Sequence, residues 1–154
     1  MSNRYSFFIM TMLRQFLQSI YPQKGHKIIK EKSMNNSNKV TSISDMLLMF
    51  HRNERPIYFI SATNFNLLGM DRWVNRFRYI NYIDCFDGRH PNVFVPQESP
   101  HEAFESIEDI NNYLLQHKDV IDLIERRGGN PVATFLMFDE KTEELAKEIG
   151  LDIW

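Results

Sequence analysis

Apolar residues recur along this chain in two different periods, and the switch between them divides it. Near the start, Tyr5, Phe8, Ile9, Met12, Leu13, Phe16, Leu17 and Ile20 repeat at the three-and-four spacing of one helical face. They predict an amphipathic helix over 4–20, capped by Ser2 or Asn3 and followed by Pro22. Residues 22–42 are polar, basic and rich in Asn and Ser, and read as a linker holding a short strand at Lys27 to Lys30. A short helix is expected over 44–53, with Ser44 as its cap and Arg55-Pro56 beyond its end.

From Pro56 the period changes. "PIYFIS" (56–61) is a near-continuous apolar run, the pattern of a strand covered on both faces. A loop follows, with Asp71 to Phe77 turning helical. "RYINYIDCF" (78–86) and "NVFVP" (92–96) read as strands separated by the turn "DGRHP". Ser106 caps a long helix that runs to Gly128-Gly129, its apolar stripe slipping near His117. "NPVATFLMF" (130–138) reads as a strand apolar on both faces. Asp139 caps a helix stopped by Gly150, and "LDIW" begins a further strand. Strands buried on both faces alternating with capped helices predict an α/β fold with a mostly parallel sheet over 56–154 and right-handed crossovers. The basic leader 1–55 stands before it.

Composition narrows the function classes. The 154 residues are 43% hydrophobic, 13% aromatic and 25% charged, an ordinary soluble composition with material for a large core. Net charge is −2, but residues 1–55 carry +6 and residues 56–154 carry −8. The basic residues are spread out rather than run together, so the leader balances an acidic domain and no nucleic-acid contact is expected. No stretch reaches the roughly 18 apolar residues of a membrane span. The segment after Arg4 lacks a cleavage site, so no secretion signal is read. One cysteine, Cys85, excludes an internal disulfide framework and fits a reducing, cytoplasmic setting. It lies in an apolar run and is expected to be a buried, inert thiol.

In a parallel sheet of this kind, ligands collect at the C-terminal ends of the strands. The first-strand loop, "SATNFNLLGMDRW", is the richest in polar groups there. Thr63, Asn64 and Asn66 offer hydrogen bonds to a polar ligand, although the same residue types also close turns on themselves. No G-x-G-x-x-G and no phosphate-binding P-loop is present, so neither nucleotide fingerprint applies. "DCFDGRHP" gathers Asp84, Asp87, Arg89 and His90 at a strand end, yet its spacing matches no zinc or calcium motif and Asp87-Gly88 is a turn dipeptide. The histidines show no i, i+4 pairing. Asp139, at the edge of a strand, suits a ribose hydroxyl or an ordinary helix cap.

The span 56–154, and above all its closing "FDEKTEELAKEIGLDIW", resembles the N-terminal pre-ATP-grasp domain of biotin-carboxylase-like ATP-grasp enzymes. In that family an acidic helix with a similar Glu-Leu-Ala-x-Glu-Leu-Gly-Leu run leads into a strand, and the catalytic fold follows. The resemblance implies a Rossmann-like domain bordering the substrate cleft of a ligase that joins a carboxylate to a nucleophile through an acyl phosphate. It implies ATP and magnesium for the whole enzyme, held by later domains in cis or in trans. The glycine-rich flap, nucleotide-gripping lysine and magnesium carboxylates of those domains are not in this sequence. The chain is therefore expected to bind no cofactor itself, to lack a complete active site, and to be the front part of something longer or a module working in trans. A substrate-cleft role carries over to Thr63, Asn64, Asn66, Gly69, Asp71 and Arg72, and more weakly to Asp84, Asp87, Arg89 and Asp139. No catalytic residue does. A standalone binding or interaction module is the other reading, and the final strand offers an edge for a homodimer.

Overall fold

The computed structural model describes residues 42–64 and 67–154. The expected helix over 4–20, strand at 27–30 and nearly all of the linker lie outside these residues. Residues 41–153 make one compact unit.

The unit is an α/β fold of the Rossmann-like kind. In chain order it contains α1 (Ile43–His51), β1 (Ile57–Ser61), α2 (Met70–Trp73), β2 (Phe77–Asn81), β3 (Val93–Phe94), α3 (Ile107–Gln116), α4 (Lys118–Arg127), β4 (Val132–Thr134), α5 (Glu140–Glu148) and β5 (Asp152–Ile153). The five strands form one sheet in the order β3-β2-β1-β4-β5. Every pairing is parallel. The order reverses between β1 and β4, which places the switch point beside the loop that follows β1.

β1 is central and all five of its residues are buried. Its register pairs Tyr58 with Arg78 and Ile60 with Ile80 on β2, and Tyr58 with Ala133 on β4. On this face Tyr58, Ile60, Ile80 and Ala133 pack with Leu114 and Leu115 of α3, Val120 and Ile124 of α4, and Ala146 of α5. The opposite face holds Ile57, Phe59, Phe77, Tyr79 and Val132, all buried. Here the Phe59, Tyr79 and Phe77 rings meet edge to face. The chain beside it is tied together by polar contacts: Asn75 N–H donates to the Phe50 carbonyl at 3.0 Å, and Asn53 Nδ2 donates to the Asn75 carbonyl at 2.6 Å. An apolar side chain buried this fully contributes roughly 1.5–3 kcal/mol, so the two covered faces supply the main driving force.

Local chemistry sets the boundaries, and some differ from expectation. The first described helix is capped by Ser42, not Ser44. Ser42 is extended (φ −137°) and its Oγ accepts from Asp45 N–H, while the Asp45 carboxylate accepts from Ser42 N–H in return. The long helix expected after Ser106 is two helices. His117 adopts extended backbone (φ −72°, ψ 126°) and serves both as the C-cap of α3 and the N-cap of α4, its Nδ1 accepting from Asp119 N–H at 3.2 Å. The slip in the apolar stripe is this break.

β2 ends at Asn81 rather than Phe86. The Asp84 carboxylate accepts from Phe86 N–H at 2.8 Å and Gly88 N–H at 2.6 Å, which curls residues 84–88 out of the ladder. Cys85 is consequently partly exposed, not buried. β4 is shorter still: pairing stops at Thr134, and Leu136, Met137 and Phe138 are exposed. Its neighbour β5 matches only Val132 and Ala133, and beyond them the Met137 carbonyl accepts from Asn111 Nδ2 on α3 instead of from a strand.

Leu114 lies at the centre of the α3–sheet contact with no exposed surface. Leu114→Ala is expected to destabilise the domain by about 2–5 kcal/mol, read as a lower urea midpoint with an unchanged slope.

Candidate functional site

The C-terminal edge of the sheet is built from the loops after β1, β2, β3 and β4. β1 hands its last residue to a polar cluster. Ser61 Oγ donates to the Thr63 carbonyl, and Asn81 Nδ2 donates to both the Ser61 carbonyl and Ser61 Oγ at 3.2 Å. Ladder bonds run two residues past β2, from Tyr82 N–H to the Ser61 carbonyl and from Ile83 N–H to that of Ala62. Asn64 is 1% exposed, and its carbonyl accepts from Leu67 N–H to close the turn. Two polar atoms of this cluster have no partner: the Asn64 Nδ2 donor and the Asn81 Oδ1 acceptor. Buried amide groups left unpaired cost of order 1–3 kcal/mol each, so the edge carries unspent hydrogen-bonding capacity of both signs.

A second cluster sits beside it, on the face bearing α2. The Asp71 side chain is 6% exposed. Its Oδ1 accepts from the Tyr79 hydroxyl at 2.9 Å, and its Oδ2 from Asn92 Nδ2 at 3.0 Å. The phenol also lies 2.8 Å from the Leu67 carbonyl, so its one proton serves two acceptors. Burial, first of all, holds the Tyr79 phenol far above its ordinary pKa; the Asp71 carboxylate pushes the same way, against the Asp71 backbone N–H. His90 Nε2 stands 3.8 Å from Asp71 Oδ2, while its Nδ1 accepts from Asn92 N–H at 3.2 Å. This is not a general-base dyad, because the nitrogen turned away from the carboxylate is already occupied. The network ties α2 to the loop before β3.

Asp139 is the N-cap of α5. It exchanges hydrogen bonds with Thr142, whose hydroxyl also donates to Asn112 Oδ1 at 2.8 Å. The Thr142 hydroxyl first, then its backbone N–H, hold the Asp139 carboxyl below its ordinary pKa. The cap engages its Oδ1, while Oδ2 meets Asn112 Nδ2 at 3.4 Å.

The expected residues thus fall into separate places. Thr63, Asn64 and Gly69 share the β1 loop, and Asn66 lies outside the described residues. Gly69 is the N-cap of α2 at φ 90°, a left-handed conformation that suits glycine. Asp71 is in the buried network, while Arg72, in the same turn of helix, is exposed. Asp84, Asp87 and Arg89 belong to the loop after β2; Asp84 orders that loop, and Asp87 takes a left-handed φ of 50°. Asp84 and His90 line a shallow cavity of about 200 Å³ with Gly88, Val93, Phe94 and Val95. Sequence reading passed over Ser61, Tyr79 and Asn81, which occur inside strands and resemble core positions. The alternation within β1 and β2, which turns Ser61 and Asn81 to the same face as Tyr79, was the available signal.

Among the described residues no three acidic, histidine or cysteine side chains are placed to hold a metal ion. Nor is any helix among them long and apolar enough to cross a membrane. Comparison with protein-family models, curated proteins and solved structures returned no match.

The raised Tyr79 pKa has a pH consequence. The native phenol keeps its proton where the unfolded chain, titrating near 10.0, gives it up. The native state then binds more protons, so this part of the stability is complete below about pH 10 and falls as pH rises further. Tyr58 shifts in the same direction. Tyr79→Phe is expected to lose stability less steeply than the parent chain between about pH 9.5 and 11, measured by urea unfolding across that range.

Proposed function

We propose that residues 42–153 form a substrate-side domain that holds a small polar ligand at the C-terminal sheet edge, in the manner of the pre-ATP-grasp domain of a carboxylate ligase. ATP and magnesium are held by other domains, in cis or in trans. The observation that carries this reading is the β1 loop at the switch point. It has no phosphate-cradling glycines and is closed instead by Ser61, Asn64 and Asn81, two of which keep a free donor or acceptor. Such an edge suits neutral hydrogen-bonding groups better than a triphosphate. The resemblance of 139–154 to the family's acidic helix and following strand supplies the reaction class.

Isothermal titration of the 154-residue chain with Mg-ATP checks the division of labour. No saturable heat is expected. Saturable binding that disappears in Asn64→Ala would place a nucleotide at this edge and overturn the reading.

A second reading, a module whose work is contact with another protein, is favoured by a different observation. Leu68, Ile83, Leu136, Met137 and Phe138 are all exposed on loops leaving the same sheet edge. If self-association is the contact, sedimentation velocity will show a dimer that Met137→Asp converts to monomer. A monomer at all concentrations removes the homodimer expectation.

A further inference from the structure

The chain stays apolar after β4 has lost its last ladder pair. Leu136, Met137 and Phe138 follow Thr134 there, and Met137 and Phe138 are 52% and 42% exposed. Their placement is fixed by neighbours on both sides. Asn111 Nδ2 of α3 donates to the Met137 carbonyl at 2.8 Å, the Phe138 ring centroid lies 6.1 Å from that of Phe135, and Asp139 begins α5 in a capping box. Ile107 stands one turn before Asn111 on the same side of α3, and it is exposed as well. The exposed apolar group therefore joins two walls, the first turn of α3 and the segment leading into α5.

The surround is acidic. Residues 97–117 hold Glu98, Glu102, Glu105, Glu108 and Asp109 and not one Lys or Arg. Glu140 and Glu143 stand in the first turn of α5, with Lys141 between them, and the hydrogen bond from the Thr142 hydroxyl to Asn112 Oδ1 ties that turn to α3. Among the described residues, none of Glu105, Glu108, Glu140 and Glu143 takes part in an ion pair. Helix N-termini favour negative charge, which accounts for the acids in the two first turns. It does not account for four large apolar side chains left in water among them.

The chemistry of this surface selects its occupant. Backbone pairing is a poor way to cover the segment, because the Met137 carbonyl is already taken by Asn111. A partner reaches it through side chains, as a helix laid in a groove does. An apolar helical stripe answers Ile107, Leu136, Met137 and Phe138, and flanking Lys or Arg side chains answer the unpaired acids.

We propose that the first turn of α3 and the β4–α5 segment form a docking surface for a basic amphipathic helix of a partner protein. The proposal deepens the protein-contact reading given above and rests on it.

The test uses the full chain and two synthetic peptides that share a Leu stripe at helical spacing, one with Lys and one with Glu at the remaining positions. Binding is read by fluorescence anisotropy. The Lys peptide is expected to bind saturably and more weakly as salt rises, and the Glu peptide is expected not to bind. Charge alone draws a Lys peptide to a domain of −8, so the deciding variants add negative charge. Met137→Asp and Ile107→Asp raise that general attraction while breaking the apolar surface. Each is expected to weaken binding about tenfold or more. Met137 is exposed, and an acid in the first turn of α3 suits the helix end, so both variants should fold. Glu140→Gln combined with Glu143→Gln should flatten the salt dependence. Unchanged or tighter binding in Met137→Asp and Ile107→Asp means charge attraction only and overturns the proposal. A chain that ignores the Lys peptide but self-associates through Met137 assigns the surface to a second copy; this overturns the basic partner and keeps the contact reading. A monomer that ignores the peptide overturns both.

Discussion

Covering β1 on both faces is the constraint from which the rest of this domain follows. A parallel strand at the centre of a sheet has no solvent side, so Ile57, Tyr58, Phe59 and Ile60 must each meet a packed layer. One layer is α3, α4 and α5; the other is the side bearing α2. The need to supply both layers explains the crossovers and the strand order. It also explains why polar side chains in β1 and its neighbours are confined to particular ends. Ser61 is the last residue of β1, where the ladder gives way to loops and a hydroxyl finds carbonyl and amide partners.

That constraint makes the element order legible without coordinates. A strand apolar on both faces leaves a continuous run such as "PIYFIS", and the capped helices between runs carry Ser106 and Asp139 as start signals, both observed as N-caps. What remained hidden is where a run stops being a strand. "VATFLMF" is apolar to its end, but a strand needs a neighbour, and β5 supplies only two paired residues. Asn111, far away in sequence, then captures the Met137 carbonyl. In the same way "INYIDCF" looks continuous, while Asp84 bends it by accepting two backbone N–H groups. In both places a polar side chain overrode apolar periodicity, and such overrides cannot be weighed from local pattern alone.

The site was legible in part for a related reason. Asn64 could be picked out as a polar residue in the loop where an α/β sheet places ligands. Its burial, and the partnering of Asn81 with Ser61, depend on the β1–β2 register. Asp71 was singled out as a cleft residue, but its structural surroundings are a phenol and an amide that each bring a donor to its carboxylate. Tyr79 looked like core because its ring is core, packed between Phe59 and Phe77. Its hydroxyl is the part that reaches the polar layer.

The two ends of the sheet differ in electrostatic character, and this difference separates their chemistry. At the C-terminal end the unpaired atoms are neutral amides, and the nearby Asp71 carboxylate is already held by Tyr79 and Asn92. Neutral donors and acceptors in a buried setting discriminate among ligands by shape and hydrogen-bond pattern, because a mismatched group leaves both sides unsatisfied. At the N-terminal end the unpaired groups are cations beside a phenol. Arg55 lies at this end too, but its guanidinium is paired with Asp152 and the Asn130 carbonyl. An acid therefore neutralises one arginine of this edge; among the described residues no carboxylate lies within ion-pair distance of Arg78 or Arg127, and both stay partly open to solvent.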